Sequence, residues 1–577
     1  LKLPVWYDAG ETHRGDEIIR FVEMLSASNI DVVGVLDHPP AGTELANRLG
    51  GNASIADLFA YDPSLWLPSL DPVMSRLSMR LRYWQLGADG DTNIVGFANL
   101  PARIQELRTR LFRFGQEVKL GVPWLCDAAN QIPRNATWDF EQLSPDASLT
   151  VEEFEAFVAQ PWIKKRLRWI TIEPPQRSDD GRPVSLAELD AYAEVLVRKI
   201  VAAKQHGVQG IFVSNPFNDK NGLMRENGMP AELLMPWRTC AAMLSGAEYL
   251  GTVQLPGGSE NRNFLRSDGQ VVMVVWNAIP TLESLYLGKD VRQIDMWGHS
   301  IVPAMDGKRQ IIEVGTLPTF VIGVSEPVTR WRMAVQFEHD RIESIFGVAH
   351  PNAIEFKNYF GQGVGGSISL VASHARPNRP EEDATAAEVR TLESDLWSIE
   401  PPQGTFSLSP AESARFPFDI RLKNAIFGEQ PVRVDFVVDA DETYEFSVYR
   451  TMWVGAADLA IEMRSHLDKD GSLVVQQYMT NNSETPVDFK CSLRARGYRP
   501  QRAQVYRLGA TLDRKVYRFP NGAALLGQQL LLEAEELGGQ RVLKLLFIAK
   551  DEPPTKEEVA ATAVTKTERS SHGPETN

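Results

Sequence analysis

The stretch Arg168-Trp169-Ile170-Thr171-Ile172-Glu173-Pro174 is the starting point for the fold of the first half of the chain. It is a short apolar, β-branched run that ends in one carboxylate. Parallel strands buried on both faces appear as near-continuous hydrophobic runs, and the residue at the carboxyl end of each faces the site-forming edge. Pro174 biases the preceding residue toward extended backbone angles. The stretch therefore predicts a buried strand that presents the Glu173 carboxylate, although an exposed loop glutamate fits the same residues.

Six further segments repeat this pattern in alternation with helical segments. They are residues 3–8 (LPVWYD), 31–37 (DVVGVLD), 82–91 (RYWQLGADGD), 119–124 (KLGVPW), 138–144 (WDFEQLS) and 210–217 (GIFVSNPF). Repeated strand, helix, strand units imply a parallel sheet. We predict a multidomain α/β plus all-β chain that begins with a (β/α)8 TIM barrel, its first strand missing upstream of Leu1. A doubly wound open sheet is the rival interpretation. No glycine-rich phosphate motif follows these strands, which argues against a nucleotide site.

Two of these segments carry a family resemblance. Residues 83–89 (YWQLGAD) resemble the fourth strand of clan A glycoside hydrolases, whose pattern is Trp-x-x-Gly-Asn-Glu. Residues 211–244 resemble the eighth strand and final helix of that clan, so residues 168–173 become the seventh strand. The resemblance covers roughly residues 1–250. It implies a barrel glycosidase in which Glu173 is the nucleophile and the acid/base lies near position 89.

The chain departs from that family at the acid/base position. Where the family has Asn-Glu, this chain has Ala88-Asp89, so the asparagine that would hold a sugar 2-hydroxyl is missing and the acid is shorter. Retaining hydrolysis needs carboxyls about 5–5.5 Å apart, and inversion needs about 6.5–9.5 Å. Asp89 and Asp91 are both candidates for the acid/base. A polar turn flanked by Gly87 and Gly90 explains the same residues without chemistry.

Other polar and aromatic residues near the strand ends are candidates for substrate binding. Two-carboxylate catalysis needs one ionised carboxylate and one proton-donating acid, and aromatic rings offer broad apolar faces to a sugar. Tryptophans are also frequent core residues, and Glu141 fits equally well pointing into a helix layer. The predicted substrate-binding residues are Trp6, Asp8, Asp37, His38, Trp84, Trp124, Trp138, Glu141 and Asn215.

Composition argues against several classes of partner. A net charge of −15 without a basic cluster argues against nucleic acid and against an anionic membrane surface. Cys126, Cys240 and Cys491 are the only cysteines, so neither a disulfide framework nor a cysteine zinc site is expected. The histidines show no paired metal-binding spacing, and we expect no metal and no cofactor. No apolar run of about 18 residues predicts a membrane span.

The second half of the chain changes to short alternating strands from about Glu248, which predicts appended β-domains. The first resembles the small sandwich that packs on clan A barrels, and the next resembles Ig-like modules of secreted bacterial hydrolases. We therefore expect a secreted or cell-envelope protein, whose signal peptide would lie upstream. The predicted units are a barrel at 1–246, a barrel-associated β-sandwich at 247–326, an Ig-like β-sandwich at 327–450, a second β-sandwich at 451–550 and a disordered tail at 551–577.

Two functions follow from this interpretation. The first is a glycoside hydrolase that cleaves O-glycosidic bonds of a poly- or oligosaccharide, with Glu173 as nucleophile and Asp89 or Asp91 as acid/base. The second is a catalytically degenerate barrel that serves as a glycan-binding or cell-envelope scaffold protein. A carboxyl of Asp89 or Asp91 about 5–6 Å from Glu173 favours the enzyme, and a separation beyond about 10 Å rejects it.

Overall fold

The computed structural model describes most of the chain. The described residues are 1–8, 10–41, 43–50, 54–114, 118–124, 132–133, 135–160, 166–175, 184–345, 348–372, 397–423, 428–455, 458–483, 485–539 and 541–552. Cys126 and the part of the predicted tail beyond residue 552 lie outside them.

The N-terminal unit is built on a parallel sheet of seven strands that pair in chain order. Its register places Lys2 opposite Val33 and Glu141 opposite Arg168. Each of the seven segments predicted from the sequence overlaps one strand. The strands are Lys2–Pro4 (β1), Val33–Leu36 (β2), Tyr83–Leu86 (β3), Lys119–Trp124 (β4), Phe140–Leu143 (β5), Leu167–Thr171 (β6) and Gly210–Phe212 (β7).

Helices cover one face of this sheet. Capping boxes begin two of them: Thr150 pairs with Glu153, and Ser185 pairs with Glu188. Among the described residues, no helix combines the length and the apolar character needed to cross a membrane. The helices are Thr12–Ala27 (α1), Glu44–Leu49 (α2), Ile55–Ala60 (α3), Pro63–Leu77 (α4), Leu100–Leu111 (α5), Val151–Val158 (α6), Leu186–Gln205 (α7) and Leu234–Leu244 (α8).

The prediction of a (β/α)8 TIM barrel is wrong. The sheet is a curved half-barrel with β1 and β7 at its two edges, and no eighth parallel strand joins them in the described part of the chain. Three helices, α2 to α4, share one connection, and no helix is described between β4 and β5. A complete barrel instead places a helix after every strand. Hydrophobic periodicity identifies strands, but closure depends on their tilt and stagger across the whole sheet.

The resemblance to clan A glycoside hydrolases, which rested on strand order and two short motifs, is overturned by the same finding, because the strand numbering requires a closed barrel of eight strands. The rival doubly wound sheet is not observed either. Such a sheet reverses its strand order at a switch point, whereas this one runs from β1 to β7 in sequence.

Period-2 alternation gives the sheet two different faces. Ile170 and Ile172 belong to the large core shared with the helices, whereas Trp169 stacks on Phe140 on the other face, with ring centroids 3.8 Å apart. This second face is concave, because Lys2 Nζ on β1 lies 4.4 Å from the centroid of the Phe212 ring on β7. We call its apolar cluster the concave floor, which consists of Val33, Tyr83, Phe140, Leu167, Trp169 and Phe212.

A β-sandwich follows and packs against the N-terminal unit. Its Phe264, Val274 and Phe320 belong to the same core as the helices. A six-stranded and a three-stranded sheet form this unit. Its strands are Glu248–Gly251 (β8), Glu260–Leu265 (β9), Val271–Trp276 (β10), Thr281–Leu285 (β11), Arg292–Asp295 (β12), Ser300–Ile301 (β13), Ala304–Asp306 (β14), Arg309–Val314 (β15) and Thr319–Val324 (β16).

The next β-rich unit has its own core, which centres on the buried ring of Trp331. Buried Arg332 ties this unit to the preceding one, because it donates to the backbone carbonyls of Ser447 and Tyr286. Its elements are Glu326–Ala334 (α9), Gln336–Phe337 (β17), Arg341–Ile342 (β18), Ala349–Lys357 (β19), Val364–Ala372 (β20), Trp397–Glu400 (β21), Gln403–Leu408 (β22), Ser413–Leu422 (β23), Gly428–Asp439 (β24) and Thr443–Val454 (β25).

The last unit also consists of two sheets around a separate core. Its strands are Leu459–Leu467 (β26), Leu473–Asn481 (β27), Val487–Arg494 (β28), Gln501–Leu508 (β29), Asp513–Phe519 (β30), Gln529–Glu536 (β31) and Val542–Ile548 (β32).

The concave floor requires a glycine on β4, because a Cβ added at Gly121 would lie 1.9 Å from the Phe140 ring. We predict that Gly121→Ala lowers the free energy of unfolding of the N-terminal unit by roughly 1–3 kcal/mol, since the ring must leave its stacked position. Gly90→Ala is the matched control, because its added methyl meets open space. Urea unfolding followed by tryptophan fluorescence measures both variants. Equal midpoints for Gly121→Ala and the parent would contradict the packing of Phe140 against β4.

Candidate functional site

The carboxyl ends of the parallel strands share one edge of the sheet, and polar residues follow most of them. Asp8, Asp37 and Asp89 follow the first three strands, and Glu173 and Ser214 follow the last two. Ligands of open parallel sheets bind outside the carboxyl ends of the strands. This edge is therefore the candidate site.

Five polar side chains form a network above the concave floor, which we call the polar cluster: Lys2, Gln85, Asp89, Gln142 and Thr171. Lys2 Nζ donates to Asp89 Oδ1 at 2.5 Å, and Gln85 Nε2 donates to the same oxygen at 2.8 Å. Thr171 Oγ1 donates to Asp89 Oδ2 at 3.0 Å. Gln142 Nε2 donates to Thr171 Oγ1 at 2.8 Å. The cluster thus connects β1, β3, β5 and β6 across the concave face.

The polar cluster is mostly screened from solvent. The side chains of Lys2 and Asp89 are 12% and 17% exposed, and Gln85 and Gln142 are fully buried. Burial lowers the pKa of Lys2 to about 8, although the nearby Asp89 carboxylate favours the ammonium form. Perturbed pKa values of this kind concentrate at functional sites. The Lys2 ammonium therefore loses its proton at a much lower pH than an ordinary lysine ammonium.

Glu173 lies at the mouth of the concave face. It is two residues beyond Thr171, the last residue of β6, and the backbone N–H of the intervening Ile172 still donates to the Phe212 carbonyl at 2.8 Å. Ser214 Oγ donates to Glu173 Oε1, and Asn221 Nδ2 donates to Oε2 at 3.3 Å. We call Glu173, Ser214 and Asn221 the rim group. Asp89 and Glu173 thus follow β3 and β6 at the same edge of the sheet, and Thr171 of β6 donates to Asp89.

Asp91 has a structural role. Its Oδ2 accepts a hydrogen bond from the backbone N–H of Ile55, the first residue of α3, at 2.9 Å. Its Oδ1 accepts from the side chain of Asn93 at 3.2 Å. These contacts anchor a helix start and a turn. Asp91 therefore does not join Asp89 in the polar cluster.

Glu141 lies on the helix-covered face rather than at the candidate site. Arg166 Nη1 is 2.7 Å from its Oε1, and Trp138 Nε1 donates to the same oxygen at 2.7 Å. Burial raises the pKa of Glu141, and the charge of Arg166 opposes that effect. A buried carboxylate held by an arginine and an indole stabilises packing and has no open path to a ligand.

The four predicted tryptophan platforms are core residues. Trp6, Trp84, Trp124 and Trp138 are between 0% and 6% exposed. Trp84 Nε1 donates to the backbone carbonyl of Leu81, and Trp124 stacks on Trp138 with ring centroids 5.6 Å apart. In this arrangement none of the four rings presents a face to a ligand.

The remaining predicted residues lie at the surface of the same edge. Asp8 and Asp37 are partly exposed, and His38 and Asn215 are exposed. Asp37 Oδ1 accepts from the backbone N–H of His38 at 2.9 Å. Asn215 Oδ1 accepts from the backbone N–H of Phe217 at 3.2 Å, which is a local turn contact.

Sequence reasoning missed most of the polar cluster and part of the rim group. A usable signal existed for Gln85, Gln142 and Thr171, which are polar residues at inward positions of otherwise apolar strands. Lys2 shares that signal but lies in a strand only three residues long. No local pattern marks Asn221, because its contact with Glu173 spans 48 positions.

Two cavities lie elsewhere in the protein, and the described residues offer no candidate metal centre. Among the described residues, no group of three His, Cys, Asp or Glu side chains is placed to hold a metal ion. A cavity of about 470 Å³ lies beside Lys357, Tyr359 and Arg415 in the unit that begins with α9. Another of about 290 Å³ lies between α7, β7 and α8. The lining residues of both cavities lie outside the polar cluster.

Comparisons with known proteins do not identify the chain. No family model matches it, and no curated protein matches it. One similar solved structure comes from work on a chaperone-tip adhesin complex in CFA/I fimbriae biogenesis, with 8% identity, 38% of this chain and 99% of that chain covered, and a TM-score of 0.16. Red sea bream transglutaminase shows 11% identity, with 38% and 31% covered and a TM-score of 0.18. The periplasmic chaperone SfaE shows 10% identity, with 37% and 100% covered and a TM-score of 0.15. Similarity this low supports no conclusion about fold or function.

We predict that the Lys2 ammonium titrates near pH 8, well below the usual lysine value of about 10.4. Asp89→Asn should lower the midpoint further, because it removes the charge that favours the ammonium. Since the unfolded chain holds this proton up to about pH 10, the free energy of unfolding of the parent should rise relative to Lys2→Met between about pH 8 and 10. NMR of ¹⁵N-labelled lysine side chains measures the midpoint. A Lys2 midpoint above pH 10 would contradict its burial in the cluster.

Proposed function

We propose that this chain is a carbohydrate-binding protein whose ligand site is the carboxyl edge of the curved sheet, formed by the polar cluster and the rim group. Of the two functions that the sequence leaves open, this is glycan binding without hydrolysis. The observation that carries the proposal is the environment of Asp89. Its carboxylate accepts hydrogen bonds from Lys2, Gln85 and Thr171.

Two-carboxylate hydrolysis needs a protonated carboxyl beside the leaving oxygen. Both oxygens of Asp89 are instead engaged by donors of the protein, Oδ1 by Lys2 and Gln85 and Oδ2 by Thr171. The side chain of Asp91 anchors the start of α3, and Glu141 is buried on the opposite face. In the part of the chain that the structure describes, no other carboxyl accompanies Glu173 as a proton donor in the polar cluster or the rim group. This supports binding over hydrolysis.

The chemistry of the edge favours a ligand rich in hydroxyl groups. Asp8, Asp37 and Glu173 supply carboxylate acceptors, while Ser214 and Asn221 supply neutral groups that both donate and accept. An excess of acceptors pairs best with many O–H donors, and a few placed polar groups are enough to fix the orientation of a small ligand. The carboxylates also disfavour an anionic ligand. A neutral glycan meets both conditions. The secreted or cell-envelope location of the protein stays a prediction.

The test uses a printed panel of neutral oligosaccharides, followed by calorimetric titration of those that bind. Glu173→Gln should weaken binding about tenfold or more, because a charge-assisted hydrogen bond contributes about 1.5–3 kcal/mol. Glu152→Gln is the matched control, since that carboxylate is 72% exposed on the helix layer. Absence of binding to every neutral glycan, or equal binding by Glu173→Gln and the parent, would reject this site.

Hydrolysis is tested in parallel with nitrophenyl glycosides. The proposal expects no turnover by the parent above that of Glu173→Ala. Turnover by the parent that is lost in both Glu173→Ala and Asp89→Asn would instead establish a two-carboxylate hydrolase.

A further inference from the structure

We propose that Lys2 captures the open-chain aldehyde of a reducing sugar as an imine, with Asp89 carrying the proton. This deepens the proposed function, on which it rests for the class of carbonyl compound. It names the reducing end of the glycan as the part that enters the polar cluster.

The geometry holds the Lys2 amine in one position. Its Nζ lies 2.5 Å from Asp89 Oδ1 on one side and 4.4 Å from the centroid of the Phe212 ring on the other. The second Asp89 oxygen accepts from Thr171 Oγ1, and Ser144 Oγ donates to the Asp89 backbone carbonyl at 2.9 Å. Both partners are therefore fixed at hydrogen-bond distance, and both retain some exposure at the mouth.

The reaction requires an amine that can lose its proton and a group that can take it and return it. Asp89 accepts a proton from the Lys2 ammonium, and the neutral amine forms a C–N bond to the aldehyde carbon. One proton of the amine nitrogen moves to the carbonyl oxygen as this carbinolamine forms, so the carbinolamine is neutral. Asp89 then returns its proton to the hydroxyl, which leaves as water while the C=N bond forms. Ammonium and aldehyde thus become iminium and water, with no change in total charge or oxidation state.

Two other described lysines that are part-buried, Lys199 and Lys204, have different surroundings. Burial also lowers the pKa of Lys199 and of Lys204, both on α7. Lys199 Nζ donates to the backbone carbonyl of Ala147 at 3.3 Å. Lys204 lies in the cavity between α7, β7 and α8, where Glu248 acts on it through its charge. Lys204 is therefore a matched internal control that shares burial but not a bonded carboxylate.

The experiment incubates the full chain with glyceraldehyde and sodium cyanoborohydride at pH 7, and peptide mass spectrometry locates the reduced adducts. An amine with a pKa of about 8 is about one-tenth neutral at that pH, and an ordinary lysine is less than about one-thousandth neutral. Lys2 should therefore be modified about tenfold faster than Lys204 or more. Peptide fragmentation separates Lys2 from the α-amine of Leu1. In Lys2→Arg, which keeps the cation, the adduct at position 2 should disappear while the others remain.

The Asp89→Asn variant tests whether Asp89 assists formation of the imine or whether Lys2 reacts only because its amine is neutral. It raises the neutral fraction of Lys2 but removes the proton carrier. We expect modification of Lys2 to fall about tenfold or more, and faster modification would overturn the role of Asp89. Modification of Lys2 no faster than that of Lys204 would overturn the whole inference. Glyceraldehyde does not need the rim group, so rapid Lys2 modification without glycan binding would reject only the proposed function. Glycan binding without Lys2 modification would reject only the imine.

Discussion

The ion pair between Lys2 and Asp89 is the interaction on which the candidate site depends. It joins an edge strand to the turn after β3, and Thr171 extends it to the strand that leads to Glu173. Charged groups are buried at a high cost unless they are paired and hydrogen-bonded. The cluster meets this requirement for Asp89 with three donors. Burial lowers the pKa of Lys2, and its contact with the Asp89 carboxylate opposes that shift.

The two faces of the sheet explain why only some carboxylates reach the site. Gln142 and Thr171 point to the concave side, whereas their neighbours Glu141 and Ile170 point to the helices. One step along a strand therefore separates a group on the concave face from one that packs against the helices. Glu141 is among the substrate-binding residues predicted from the sequence, yet its carboxylate is the partner of Arg166.

The sequence allowed the strands to be predicted, because their apolar runs are local. It did not allow closure of the sheet to be predicted, since that property belongs to all strands together. The same apolar runs predict that Asp89 and Glu173 follow strands whose carboxyl ends share one edge, and in the structure they follow β3 and β6. The predicted sugar platforms fail for a different reason. Trp84 and Trp124 occupy the alternate strand positions that face the helices, so their rings lie in the helix-packed core. Lys2 was missed because its role appears only when β1 and β7 approach each other.

A double-mutant cycle in the free energy of unfolding tests the central claim most directly, with Lys2→Met, Asp89→Asn and the double variant measured by urea unfolding at pH 7. If the pair is the hydrogen-bonded centre of the concave face, the two substitutions should be coupled by about 1 kcal/mol or more, within the range of about 0.5–3 kcal/mol for residues in contact. Additive effects, within about 0.3 kcal/mol, would show that Lys2 does not hold Asp89 and would contradict the account.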